Sequence, residues 1–433
     1  MWKLILKNLW SRRKRNGWLM AELVLVSVVT FIIIDPIVVL NHYLNQPKGY
    51  DADRLCIVEL GRLNEKAPHF SKDDTTNETK LANILRTKER LESHPEVESA
   101  CVLGPAYINS QESASRGIGI DSIKMFYPFR IDAFTDQKFF ETYGIKSVKG
   151  TPSPEELSRM ATGRRELIIT RDMAELLFPG QNAVGKNMTS IQGKDTTFYP
   201  ICGIVEPISP YAMRGNTPMI FTVKPIQHGK YSSKILMRIK AGVDMDTFIS
   251  KFRPWILHEV KSGNWFVQSV ITYEDHLSNY QYTAGVTNQI RLNIAYAIFF
   301  MVNLCLGVIG TFWLQTRKRT EEVGIMRSFG ATKGSIVRML LGEGMVLTIV
   351  SSFIGFLCYF PYAMSEGLYV SKWNQESLKY FQHDWIHSFD THFAGVAGIT
   401  LLVLIAVVSI GIYIPARNIS RVNPGMPYVM NKY

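Results

Sequence analysis

Cysteine is scarce: five residues in 433 make neither a zinc-ligand spacing nor a disulfide scaffold. Acidic residues are in deficit, with 37 Asp and Glu against 48 Lys and Arg, for a net charge of +11. Charge is nearly missing from four blocks, Trp18–Leu40, Leu292–Leu314, Met339–Tyr362 and Phe393–Ile414. No acid or histidine lies at their mid-depth, which disfavours a proton relay of the kind secondary transporters use. A complete phosphate-cradling loop is also missing. Gly180–Asn187 (GQNAVGKN) ends on Asn where Mg²⁺ ligation needs a hydroxyl, and it follows a helical pattern where such a loop follows a strand. Gly180 and Gly185 therefore read as turn residues. After the first apolar block no small-residue cleavage site follows, so that block reads as a retained helix and not a signal peptide.

What is present is a membrane pattern. Mean hydropathy is +0.02 and 46% of residues are hydrophobic, values that suit a soluble protein until the apolar residues are seen to cluster. Each block is long enough, at about 1.5 Å per residue, to cross a hydrocarbon core of about 30 Å. Cations set the orientation. Six lie in residues 1–16, six from Arg317 to Arg338 and three in the tail, against two (Lys372 and Lys379) between Ser365 and His392. Both termini are expected in the cytoplasm. The basic balance then points to anionic lipid headgroups and not to nucleic acid. Residues 1–17 place Trp2, Ile5, Leu6, Leu9 and Trp10 at helical spacing among cations, the pattern of an interfacial helix. Glu22 and Glu343 sit about a turn inside the cytoplasmic ends of their spans and Asp35 near an outer end, where an inter-helix partner makes ionisation tolerable.

The expected fold class is a membrane protein of four transmembrane α-helices (18–40, 292–314, 339–362, 393–414) with a large α+β extracytoplasmic domain of two lobes at 41–289. Its porter-like base, 50–105 plus 234–275, reads strand, helix, strand twice over. Arg54–Leu60, Leu81–Ser93 and Val97–Leu103 form the first set, and Lys234–Ala241, a helix capped by Asp244 and Phe266–Tyr273 the second. An inserted lobe occupies 106–233, and a stalk at 275–291 extends the second span outward. Cys56 and Cys101 fall in two strands expected to pair, which makes them the best candidates for a disulfide, though none is implied. In the outer loop, 363–392, His383, His387 and His392 with Asp384 and Asp390 read as a polar rim and not a metal site.

Between the second and third spans, residues 315–338 form a charged, Gly-punctuated segment. Val323, Met326 and Phe329 recur every three residues, Glu321, Glu322 and Arg327 occupy the rest, and Gly330 stops the helix. Gly334 and Ser335 are expected to turn the chain into the third span. The string EVGIMRSFGAT (322–332) resembles the signature of FtsX/MacB-like ABC transporter permeases. Residues 164–188 with 199–205 resemble the periplasmic core domain of MacB-type permeases, and IPARNISRVNP (414–424) resembles the family's closing motif, with Asn423 where Asp is usual. The resemblance implies a non-catalytic subunit of the bacterial inner membrane that binds no cofactor directly and couples to a separate ABC ATPase carrying ATP and Mg²⁺. The coupling surface would be Glu321, Glu322, Val323, Gly324, Met326, Arg327, Phe329, Gly330 and Lys333. It also implies a second permease copy, as a homodimer or with a paralogue, and a periplasmic adaptor or outer-membrane channel as further partners. Two functions follow: ATP-driven extrusion of a periplasmic substrate by movement of the outer domain, or FtsX-like signalling to a partner such as a cell-wall hydrolase.

Overall fold

The computed structural model describes residues 13–110, 112, 117–120, 125–160, 166–192, 195–211, 216–317, 319–369 and 385–421. Most of the expected interfacial helix, much of the outer loop with His383 and Asp384, and the end of the tail lie outside the described residues. The chain divides into a helical unit, Met1–His42 with Asn288–Tyr433, and a sheet-rich unit, Tyr43–Thr287.

Helix α1 (Arg13–Asn45) leads into β1 (Leu55–Arg62), α2 (Asn77–Glu92) and β2 (Val97–Val102). The middle of the chain forms β3 (Ile118–Gly119), β4 (Met125–Phe126), β5 (Phe129–Phe134), α3 (Phe139–Tyr143), α4 (Pro154–Arg159), β6 (Leu167–Thr170), α5 (Arg171–Leu177), β7 (Asn187–Gln192), β8 (Asp195–Val205) and β9 (Met219–Lys224). It then returns through β10 (Lys234–Ile239), α6 (Met245–Glu259), β11 (Lys261–Ser262), β12 (Trp265–Thr272) and α7 (Tyr273–Thr283). The helical unit closes with α8 (Val286–Arg317), α9 (Thr320–Ser328), α10 (Lys333–Glu366) and α11 (Phe389–Ile419).

The two strand–helix–strand sets do combine into one antiparallel sheet, ordered β11-β12-β1-β10-β2. Both helices start where short polar side chains accept an amide proton, Thr76 from Thr79 and Asp244 from Thr247. They cover one face of this sheet through Ile84 and Leu91 on α2 and Phe248, Phe252 and Ile256 on α6. A second, mixed sheet (β4-β3-β7-β8-β6-β9-β5) comes from the insert. Leu55, Ile57 and Leu236 of the first sheet share one apolar core with Phe129, Ile131 and Phe221 of the second and with Phe139 and Tyr143 of α3. The expected two lobes are thus two sheets sharing a core within one compact unit.

Two expectations change here. Cys56 and Cys101 cannot bridge, because β10 lies between their strands: Cys56 stands opposite Met237 and Cys101 opposite Leu236. Two strand spacings of about 4.8 Å exceed disulfide reach. The two also point to opposite faces, Cys56 toward the α2/α6 core and Cys101 toward the inter-sheet core. Both are free thiols, and burial pushes each up to about 12. The stalk is not one continuous helix either: α7 ends at Thr283, and Gly285, at φ +79°, takes the left-handed conformation that terminates it.

In the helical unit four helices are long and apolar enough to cross a membrane, among the described residues. Helices α1 and α10 cross closely at Gly355, where a Cβ would collide with Ser27 and the Val24 carbonyl. Helix α8 contrasts with them, because Phe299, Leu306 and most of its apolar residues are exposed.

Candidate functional site

The charged segment folds as α9 followed by a tight turn. Its C-terminal closure is local: the amide of Gly330 donates to Arg327 O and that of Ala331 to Met326 O, both at 3.0 Å, with Gly330 at φ +90°. Thr332 caps α10 by accepting from the Ser335 amide at 3.2 Å. The turn therefore lies at Gly330–Thr332, earlier in the chain than expected, and Gly334 and Ser335 sit in the first turn of α10.

The residues expected to share one contact face do not. Val323 is 1% exposed and packs with Ile336, Leu340, Ile412 and Ala416 in the bundle, while Phe329 is 88% exposed. A three-residue step falls short of a full turn by about 60°, so Val323 and Phe329 end about 120° apart. The face that points outward is Glu321, Ile325, Ser328 and Phe329, an i, i+4, i+7, i+8 set. Ile325 is 59% exposed and was missed; its four-residue spacing from Phe329 was the available signal. Met326 is half-buried, Gly324 is buried beside Val323, and Gly330 and Lys333 are exposed.

Charge anchors this helix. Arg319 is 5% exposed and holds Glu343 of α10 through two parallel contacts, Nη1 to Oε2 at 2.6 Å and Nη2 to Oε1 at 3.1 Å. Its Nε donates to Glu322 at 3.1 Å, which ties down a residue expected at the contact surface. Burial works against the Arg319 charge, but Glu343 and then Glu322 more than offset it and raise its pKa above the usual value. Arg327 donates to Ser420 O at the end of α11, at 3.4 Å. A short helix thus presents two apolar side chains outward and is fastened to α10 and α11 by an ion pair, a hydrogen bond and Val323.

At the opposite end of the helical unit, His392 is buried and not part of a rim. Its Nε2 lies 2.7 Å from Asp35 Oδ1 and its Nδ1 3.0 Å from Ile386 O, while Asp35 Oδ2 accepts the Tyr369 amide at 2.8 Å. The partner expected for Asp35 is therefore this histidine. No group of three or more metal-ligating side chains occurs among the described residues.

Residues 294–424, which contain all of α9 and its anchors, match the family model described as FtsX-like permease C-terminal. They form an FtsX-like permease domain. The resemblance read from EVGIMRSFGAT and IPARNISRVNP lies within this domain. A stretch of 50 residues is 38% identical to the uncharacterized ABC transporter permease YknZ of Bacillus subtilis (strain 168), covering 12% of this chain and 13% of that one. Solved structures show weaker likeness. The periplasmic region of MacB from Actinobacillus actinomycetemcomitans aligns at 11% identity and TM-score 0.32, over 55% of this chain and 98% of that one. The extracellular domain of YknZ from Gram-positive bacteria aligns at 12% identity and TM-score 0.28, over 49% and 100%. Likeness at that level carries over no mechanism, so the chemistry of the FtsX-like domain rests on its own residues.

Proposed function

We propose that this chain is the membrane subunit of an FtsX/MacB-type ABC transporter, docking a separate ATP-hydrolysing subunit through α9. The observation that carries the reading is the exposed Ile325–Phe329 pair on a helix fastened to the bundle by Arg319–Glu343. Apolar side chains that point outward from a cation-rich end suit a groove on a soluble partner, where an aromatic anchor contributes about 2 kcal/mol or more. The excess of Lys and Arg near this end supports a cytoplasmic placement in a bacterial inner membrane, with both termini inside. Rigid anchoring then turns a push on α9 into movement of α10 and α11. ATP and Mg²⁺ stay on the partner, and the permease transmits force outward to extrude a periplasmic substrate.

ATPases of this class act as pairs, so a second permease copy, identical or a paralogue, belongs to the reading. The exposed apolar face of α8 is where it packs, with lipid covering the remainder. FtsX-like signalling to a wall hydrolase is the other use of the same motion. The large sheet-rich unit, Tyr43–Thr287, favours extrusion, with an adaptor or outer-membrane channel as a further partner.

Ile325→Ala with Phe329→Ala tests the coupling. The variant should insert and fold, yet lose co-purification with the cognate ABC ATPase and its stimulated hydrolysis. Capture of the ATPase with full ATP turnover would refute the docking role.

A further inference from the structure

The sheet-rich unit has a cleft of about 870 Å³ at the place where the inter-sheet core runs out. Along β1 the side chains of Leu55 and Ile57 enter that core, and the next on the same face, Glu59, reaches the cleft floor. Its cross-strand neighbours are Lys234 and Ser269. Lys234 Nζ lies 2.8 Å from Glu59 Oε1 and donates to the Tyr107 hydroxyl at 3.2 Å, while Ser269 Oγ donates to Glu59 Oε2 at 3.0 Å. The pairing slips beside Glu59: Leu60 stands opposite Val267 and Glu59 opposite Ser269, so Gln268 has no partner and is exposed in the cleft. A bulge of this kind re-aims a side chain. The walls are α7, with His276, Asn279 and Tyr280, and the chain around Asn109, whose carbonyl is 2.9 Å from His276 Nε2.

The lining excludes several ligand classes. Glu59 and Lys234 neutralise one another, Glu112 is the other formal charge, and burial holds His276 below its usual pKa. A strong anion thus finds no free counter-charge, and a cation finds only the exposed Glu112. Leu60, Pro105 and Ile271 are the aliphatic lining residues, too few for an acyl chain. A peptide adding as a strand needs a free edge, and β1, on the floor, is paired on both sides. What remains is dense in neutral hydrogen-bonding groups, Gln268, Asn279 and several hydroxyls, together with the rings of Tyr231 and Tyr280. That combination suits a neutral molecule with hydroxyls on its rim and C–H groups on its faces.

We propose that this cleft binds a neutral saccharide, with Gln268 and Asn279 hydrogen-bonding its hydroxyls and Tyr231 and Tyr280 supplying aromatic surface. Full-length protein in lipid nanodiscs, free of glycoside detergent, is titrated by calorimetry with maltotetraose, cellotetraose and tetra-N-acetylchitotetraose. At least one should bind saturably, with a Kd unchanged between about 0.05 and 0.5 M salt because the ligand is uncharged. Gln268→Ala with Asn279→Ala should weaken Kd by about tenfold or more, equivalent to ~1.4 kcal/mol. Both side chains are exposed, so the fold should survive, and Gln268→Glu serves as a second variant expected to weaken binding. Ile325→Ala with Phe329→Ala should leave saccharide binding unchanged, which separates this site from the α9 contact. Failure of all three saccharides to bind, binding indifferent to the cleft variants, or displacement by a tighter-binding neutral hexapeptide would each overturn the proposal.

Discussion

At the α9 end of the helical unit, Arg319 and Glu343 meet through two parallel contacts, whereas at the other end Asp35 meets His392 through one and gives its second oxygen to the Tyr369 amide. All four side chains are buried. The difference lies in what each cation can do. Guanidinium cannot lose its charge in a protein, so a buried Arg319 keeps its need for carboxylate partners, and Glu343 is the one that meets it through both oxygens. Imidazole can hold its proton at either nitrogen. Ile386 O accepts from Nδ1, so Nε2 faces Asp35 either as a donor to a carboxylate or as an acceptor from a carboxylic acid. The first pair is a fixed-charge clamp and the second an arrangement that a neutral amide can imitate.

Amide substitutions should therefore separate the two ends. Glu343→Gln takes the bidentate carboxylate from a buried guanidinium and leaves it only the more exposed Glu322, which should cost about 3 kcal/mol, seen as a large drop in the thermal midpoint of the solubilised protein. Adding Arg319→Met should recover most of that loss; a double variant as unstable as the single one would show that packing, not charge, dominates there. Phe329→Ala alone should cost about 2 kcal/mol of ATPase affinity with no change in thermal midpoint, measured by titrating the partner against nanodisc-held protein. Asp35→Asn should cost only about 1 kcal/mol, since the amide still accepts from Tyr369 and donates to Nε2. A loss as large as that of Glu343→Gln would mean that Asp35 also carries an obligatory charge.

The smallest effect belongs to the sheet-rich unit. Burial pushes the Asp132 carboxyl up, but hydrogen bonds from Lys224 at 2.7 Å and Thr222 at 2.6 Å and the nearby Arg130 more than offset this and hold it below the usual range. A depressed folded pKa stabilises the fold above the unfolded value, about 3.9, and that stability is lost as pH falls through the folded pKa. Asp132→Asn should then flatten the loss of stability below about pH 4, followed by hydrogen exchange of β5 and β9. An unchanged acid profile would remove Asp132 from that account.

Which parts were legible follows from which signals are local. Asp244 was legible as the cap of α6 because a cap needs only its own chain, whereas Thr76 and Thr332 start their helices earlier than the apolar pattern alone indicates, and the four spans were readable because hydrophobic length is a property of one segment. The wrong readings concern direction. A stripe of Val323, Met326 and Phe329 looked like one surface, but packing against Ile336 and Ile412 drew Val323 inward and left Ile325 with Phe329 outside. Glu343 signalled that it needed a partner; only the return of α10 beside the start of α9 made that partner Arg319.

The sequence by itself determined the number of spans, the strand–helix–strand order of the base sheet, the start of α6 at Asp244 and the residues of the FtsX-like signature, all of which depend on periodicity and composition over a few turns of chain. Tertiary structure alone decided that β10 separates Cys56 from Cys101, that the two sheets share one core, and that Asp35 and His392 meet across 357 positions of chain. Strand order, facing and long-range charge pairing depend on which elements come together, and burial supplies that choice after the local pattern has done its part.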